Sequence, residues 1–225
     1  MRILVVEDDI PANRQLNRAL ARAGYVVEGA LDGEQGHYLG DATEFDAVVL
    51  DLGLPLVPGM EVLRRWRSAE RRMPVLVLTG HDSASEKVSA IEAGADDYVT
   101  KPFNMEEVIS RLRALIRRSN GLASAVLACG DVVMDTRCGT VKLRGEPVNL
   151  TRFEKRLLQF LLHRGGRVVS RTEIADHIYR QEIDRDSNTL EVIVRRLRLK
   201  LGMEAIETVR GAGYRMALKS VASSL

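Results

Sequence analysis

Ala47-Val48-Val49-Leu50-Asp51 is an apolar run that ends on a carboxylate. Continuous apolar runs of this length suit strands buried on both faces, the pattern of a parallel sheet. Three other runs are built alike. Ile3-Leu4-Val5-Val6 leads into Glu7-Asp8-Asp9, Val75-Leu76-Val77-Leu78 stops at Thr79, and Tyr98-Val99 leads into Thr100-Lys101-Pro102-Phe103. In such a sheet the carboxyl ends of the strands carry the ligand. Carboxylates, a hydroxyl and a lysine collect at that edge, and these groups suit a divalent metal beside a phosphoryl group.

At 225 residues and 45% hydrophobic, the chain is long enough for two ordinary domains, each with its own core. No apolar run approaches a membrane span and no basic leader precedes one, so a soluble, cytoplasmic protein without membrane contact is expected. Cys129 and Cys138 have no His or further Cys in a zinc spacing and read as free thiols. The net charge of +2 hides an asymmetry. Residues 1–118 hold 15 basic and 19 acidic side chains, a net −4, and residues 119–225 hold 18 and 12, a net +6. A positive field on the second half alone is what nucleic-acid binding by one domain needs.

Ser119-Asn120-Gly121-Leu122-Ala123-Ser124-Ala125 is small and polar, which marks 119–125 as a linker between a domain at 1–118 and another at 126–220. Before it, strand signals alternate with helical ones at Pro11 to Ala23, Asp32 to Gly40, Met60 to Arg71, Ser83 to Ala93 and Asn104 to Arg118. Capping boxes mark several starts: Asp32 with Gln35, Ser83 with Glu86, Asn104 with Glu107. This alternation predicts a doubly wound α/β domain. After the linker come short strands, three helices and a closing hairpin, the order of an α+β winged helix-turn-helix. Thr151 with Glu154 and Ser170 with Glu173 cap its first two helices. The third runs from about Ser187 to Leu201, before Gly202.

The chemistry of the acidic edge follows from its residue types. Asp51 at a strand end is a candidate phosphoryl acceptor, with Glu7 and Asp8 placed to hold a hard cation beside it. Mg²⁺ takes oxygen ligands and keeps several waters, so two or three protein oxygens suffice. The cation offsets charge on the carboxylate and on the incoming phosphoryl group. Lys101 is placed to neutralise a phosphate oxygen and the Thr79 hydroxyl to donate to another.

Taken as a set, Val5-Val6-Glu7-Asp8-Asp9, Asp51-Leu52-Gly53-Leu54-Pro55, Leu78-Thr79, Gly94-Ala95-Asp96-Asp97-Tyr98 and Lys101-Pro102-Phe103 resemble the receiver domains of two-component response regulators, more closely the OmpR/PhoB family. The resemblance implies a flavodoxin-like receiver in which Asp51 accepts phosphate from a cognate sensor histidine kinase. It places Asp8, Asp51 and the Gly53 backbone carbonyl on Mg²⁺, with Glu7 reaching it directly or through water, and makes the Lys101–Pro102 bond cis. It further implies that Tyr98 turns inward after phosphorylation and that a homodimer forms. In similar regulators Lys87 pairs with Glu107, Asp97 with Arg111, and Glu92 or Asp96 with Arg118 across a two-fold axis. Exposed pairs are worth only about 0–1 kcal/mol each, so they set register while Ile91 and Ala114 supply area. Two departures are Leu56-Val57-Pro58-Gly59, a stiffer loop than relatives often have, and His81, placed to influence attacking water. Both bear on how long the phosphorylated state lasts.

In the third helix of the second domain, Leu190, Val194, Leu197 and Leu201 form one apolar stripe. The opposite face presents Asn188, Val192, Arg195, Arg196 and Leu199, with Arg198 and Lys200 at its flanks. Such a helix suits the major groove, where arginine reads guanine edges. Arg196 and Arg198 are the expected base contacts, Arg195 and Lys200 the phosphate contacts. Arg210, in Thr208 to Arg215, is placed for a minor groove and Thr208 for a phosphate. Leu150-Thr151-Arg152-Phe153-Glu154, Gly166 to Arg171, Arg195 to Gly202 and Thr208 to Arg215 resemble the family's effector domain, which implies double-stranded DNA with repeated half-sites as partner. Asn188 and Leu199 stand where basic residues are frequent. The loop from Tyr179 to Asp186 is where similar proteins touch RNA polymerase. A phosphatase using an aspartyl-phosphate intermediate would need a second acid two positions beyond Asp51, where Gly53 stands, so an enzyme is not expected. A protein-binding adaptor is the other alternative, and salt dependence of DNA affinity separates it from a DNA reader.

Overall fold

The computed structural model describes residues 1–80, 84–178 and 187–217. His81, the Ser83 cap, the Tyr179 to Asp186 loop, the Asn188 side chain and residues 218–220 lie outside them. The chain divides into two compact units, Met1–Ser119 and Asn120–Leu225. No described helix is long and apolar enough to cross a membrane.

In the first unit the elements run β1 (Arg2–Val6), α1 (Ile10–Arg22), β2 (Val26–Ala30), α2 (Gly33–Ala42), β3 (Ala47–Asp51), α3 (Gly59–Ser68), β4 (Val75–Thr79), α4 (Ala84–Glu92), β5 (Asp97–Thr100) and α5 (Met105–Ser119). The strands form a parallel sheet of order β2-β1-β3-β4-β5, the flavodoxin-like doubly wound arrangement. Ile3 to Val6 and Val48 to Leu50 are fully buried, as strands with helices on both faces must be. Val6 pairs with Leu50, Asp51 with Leu78 and Thr79 with Thr100, so the four strand ends carrying polar groups share one edge.

Two glycines allow tight packing, Gly59 at that edge and Gly40 between α2 and α3. A Cβ on Gly59 would lie 2.0 Å from the Asp51 carbonyl oxygen, and one on Gly40 would lie 2.5 Å from the Trp66 ring. α2 and α3 therefore meet with nothing between them, and Trp66, fully buried, donates its Nε1–H to the His37 carbonyl at 3.2 Å.

Helix α3 stops at Ser68, short of the Arg71 that periodicity suggests. Glu70 adopts φ +56°, its amide donates to the Arg67 carbonyl, and the Arg71 amide donates to that of Trp66. This is a Schellman ending without its usual glycine, so the stop carries no sequence signal. Asp9, at the start of α1, accepts the Ala12 amide at 2.7 Å. Asp32 caps α2 through the Gln35 amide, but Gln35 answers the Leu31 amide and not that of Asp32. Asn104 accepts from Glu106, not Glu107.

The second unit opens with an antiparallel sheet of β6 (Val126–Cys129), β7 (Val132–Asp135), β8 (Thr140–Leu143) and β9 (Glu146–Pro147). α6 (Arg152–His163), α7 (Arg171–Ile178) and α8 (Ser187–Leu201) follow, then the hairpin β10 (Ile206–Val209) and β11 (Gly213–Met216). The Thr151–Glu154 capping box is complete, and the Ser170 hydroxyl accepts the Glu173 amide at 3.1 Å. Leu190, Ile193, Val194, Leu197 and Leu201 of α8 are buried, as are Leu157, Leu158 and Leu161 of α6, and the two helices pack together in this winged-helix core. Val169 bridges to Tyr214 and anchors the hairpin to the helices.

Candidate functional site

The edge of the sheet where β1 and β3 diverge gathers the acids. Glu7 is fully buried, Asp51 is nearly so, and Asp8 is exposed. Ligand oxygens of these three lie within 4.8 Å of one another. Lys101, just beyond β5, places Nζ 2.8 Å from Asp51 Oδ2 and 2.8 Å from Glu7. The Lys101–Pro102 peptide is cis. A Cβ on Gly53 would stand 3.7 Å from Asp51 Oδ2, which puts the Gly53 backbone beside the carboxylate.

Electrostatics follow from burial. Taking Glu7 out of water pushes its carboxyl above the ordinary carboxylate value, and the charges of Asp51 and Asp8 push the same way while Lys101 opposes them. Burial alone would lower the Lys101 ammonium, but its bonds to Asp51 and Glu7 outweigh that and hold it above its ordinary value.

Whether the residues fit a magnesium ion is decided by the charge on Glu7 and its neighbours. Lys101 Nζ donates to Glu7 Oε1 at 2.8 Å and also stands 2.8 Å from its Oε2, so one ammonium serves both oxygens of this buried carboxylate. Three carboxylates whose oxygens lie within 4.8 Å of one another, with one ammonium between them, leave net negative charge that fits a hard cation. Receiver domains bind magnesium at an acidic pocket of this kind.

Thr79, buried at the end of β4, donates its hydroxyl to Glu86 of α4 at 3.0 Å. Lys87 of the same helix lies over the half-buried Tyr98 ring at 5.1 Å. Glu86 entered the sequence reading only as a capping partner of Ser83, because nothing local relates it to Thr79.

The charges expected to pair between protomers are largely engaged within the chain. Arg111 binds Asp97 at 3.1 Å and Glu107 at 2.8 Å. Asp96 accepts the Val75 amide at 2.8 Å and Arg67 at 3.0 Å. Of the two acids considered for Arg118, Asp96 is therefore committed to its own domain, and Glu92 is exposed, as is Arg118. Val88 and Ile91 are exposed apolar residues of α4, and Ala114 is half-buried.

On α8, Arg195 and Arg196 are exposed beside Val192 and Leu199, and Arg210 is exposed at the hairpin turn. Arg198 is partly exposed and the Lys200 side chain is 36% exposed, but the charged end of each is bonded to a neighbouring element. Arg198 donates to the Ile206 carbonyl at 2.8 Å and to Thr208 Oγ1 at 2.6 Å. Lys200 donates to the Asn149 carbonyl at 3.0 Å and to the buried Glu154 carboxylate at 2.7 Å. A helical wheel puts both at the flanks, and the neighbours of those flanks, the start of α6 and β10, engage their charged ends.

The chain matches the response regulator receiver domain over residues 3–113 and the C-terminal domain of transcriptional regulatory proteins over residues 145–216. It is 42% identical to the transcriptional regulatory protein QseB of Escherichia coli O157:H7 over 219 residues, covering 97% of this chain and 100% of that protein. It is 39% identical to the transcriptional regulatory protein PhoP of Escherichia coli K12 over 223 residues, covering 97% and 100%. The receiver domain of the Francisella response regulator 1452 superposes with a TM-score of 0.51 at 30% identity, over 52% of this chain and 98% of that one. With a receiver, a transcriptional effector domain and near full-length relatives that are transcriptional regulators, the chain belongs to the OmpR/PhoB family of two-component response regulators.

Proposed function

We propose that Asp51 is the phosphoryl acceptor of a sequence-specific DNA-binding regulator, with 1–118 as the receiver, 119–125 as the linker and 126–220 as the DNA-binding domain. Asp51 attacks the phosphorus of a phosphohistidine on the sensor kinase; the new O–P bond forms as the N–P bond to imidazole breaks. Glu7, Asp8, Asp51 and the Gly53 carbonyl would hold a magnesium ion. When bound, the ion supplies positive charge that offsets both the carboxylate and the phosphoryl oxygens. Lys101 holds Asp51 before transfer and a phosphoryl oxygen after it. Thr79 then donates to the phosphoryl group, Tyr98 turns inward, and the face made by α4, β5 and α5 pairs with a second copy. Lys87, Glu92, Asp97, Glu107, Arg111 and Arg118 set the register of that homodimer by exchanging partners between copies. Arg195 and Arg196 meet the major groove of repeated half-sites, and Arg210 meets a minor groove. RNA polymerase is the partner through which the bound dimer acts, in the cytoplasm.

The observation that carries this reading is the convergence of Glu7, Asp8, Asp51 and Lys101 from three strand ends. The test is labelling by a small phosphodonor with Mg²⁺ present. Wild type labels once per chain, and Asp51→Asn retains its fold and does not label. Stoichiometric labelling of that variant would remove Asp51 from the role.

A further inference from the structure

Arg198 and Lys200 carry charge on a helix that reads DNA, yet the charged end of each is bonded within the domain. Lys200 reaches across to the start of α6, where the Glu154 oxygen that receives it also accepts the Thr151 amide at 2.7 Å. One carboxylate oxygen thus caps α6 and anchors the last turn of α8. Glu154 is 1% exposed. Burial would raise its carboxyl, but Lys200 and the Thr151 amide outweigh burial and hold it below its ordinary value. A buried carboxylate deprived of its cation is strongly disfavoured, so the contact is not readily exchanged for a solvated phosphate.

Arg198 makes the corresponding tie on the other side. Its Nε and a terminal nitrogen both donate to the Ile206 carbonyl, at 3.0 and 2.8 Å, and the same terminal nitrogen reaches Thr208 Oγ1. β10 is therefore fixed to α8 by a guanidinium fork, a geometry that a more flexible ammonium would not reproduce. Thr208 accepts this bond on its oxygen, which leaves its hydroxyl proton to point outward.

We propose that Lys200 and Arg198 are positioning residues that set the angle of α8 against α6 and of the wing against α8, and that neither contacts DNA. Phosphate and base contact then falls to Arg195, Arg196, Thr208 and Arg210. The inference rests on the DNA-reading function given above.

The two roles of Lys200 give opposite outcomes in Glu154→Gln, which removes no positive charge and keeps an acceptor for the Thr151 amide. If Lys200 holds the helix, this variant binds specific DNA about tenfold more weakly; if Lys200 is a phosphate contact, releasing it leaves binding unchanged or tighter. The full-length protein is titrated with a duplex that wild type recovers from a random pool, and with mixed-sequence duplex, across a range of salt. For Lys200→Met and Glu154→Gln the expected result is weaker specific binding, an unaltered affinity for mixed-sequence DNA and an unaltered salt slope. Arg195→Ala, the comparison, lowers the slope of log affinity against log salt by about 0.9, the value for one phosphate. A shallower slope in Lys200→Met, or wild-type affinity in Glu154→Gln, overturns the proposal. Wild type without salt-dependent DNA binding would instead overturn the DNA-reading function itself.

Discussion

The Thr79 hydroxyl donates to the Glu86 carboxylate across 3.0 Å, tying the last residue of β4 to the first turn of α4. A phosphoryl group on Asp51 adds negative charge near this pair and offers the hydroxyl a second acceptor. Glu86→Ala removes the competing acceptor. We expect it to dimerise at about fivefold lower beryllofluoride, the equivalent of one hydrogen bond worth ~1 kcal/mol. Sedimentation during a titration measures this, and a midpoint equal to wild type or higher would show that the bond does not restrain Thr79.

Lys101 is the only described cation bonded to both Glu7 and Asp51. Replacing it with Met leaves buried acids uncompensated, a loss of about 3 kcal/mol of receiver stability. Added Mg²⁺ supplies the missing charge, so it should raise the melting temperature of Lys101→Met more than that of wild type. Equal shifts in the two proteins would contradict this.

Glu7 and Glu154 respond to acid in opposite senses. Glu7 has a folded value above its ordinary 4.5, so its charge weakens the receiver above that folded value, and the penalty disappears as pH falls below the ordinary one. Glu154 has a folded value below 4.5, so its contribution to the second unit is present above the ordinary value and is lost as pH falls through the folded one. Without metal, Glu7→Gln should raise the receiver's melting temperature at neutral pH, with the difference fading on acidification. Glu154→Gln should lower that of the second unit at neutral pH, again with a difference that fades in acid. Calorimetry at several pH values tests both, and a Glu7→Gln difference that grows in acid would reverse the first assignment.

Gly59 lies against the Asp51 carbonyl with no room for a side chain. Gly59→Ala should cost about 1–3 kcal/mol by overpacking and displace the end of β3. Urea denaturation gives the stability, and phosphodonor labelling gives the consequence at Asp51. Undiminished stability would mean that the α3 start can retreat.

Much of the receiver is legible in the sequence because its signals are local. Unbroken apolar runs identify strands buried on both faces, and the polar residue ending each run is delivered to the site by the parallel sheet itself. Ends and flanks are less legible. Glu70 closes α3 in a conformation that glycine usually takes, so composition suggests that the helix continues to Arg71. Periodicity separates the buried stripe of α8 from its outer face, yet it does not reveal that Asn149 and Glu154 lie across from Lys200, 46 or more positions away. Asp96 shows the same limit: it is an exposed acid, and nothing local reveals that Arg67 and the Val75 amide bond it from elements far along the chain.

Trp66 is the chain's one tryptophan, and it is enclosed between α2 and the sheet of the first unit. Its fluorescence consequently reports on the receiver alone, while the winged-helix unit stays silent at that wavelength. Emission that changes when DNA is added would then be a direct optical signal that the second unit's ligand is felt in the first.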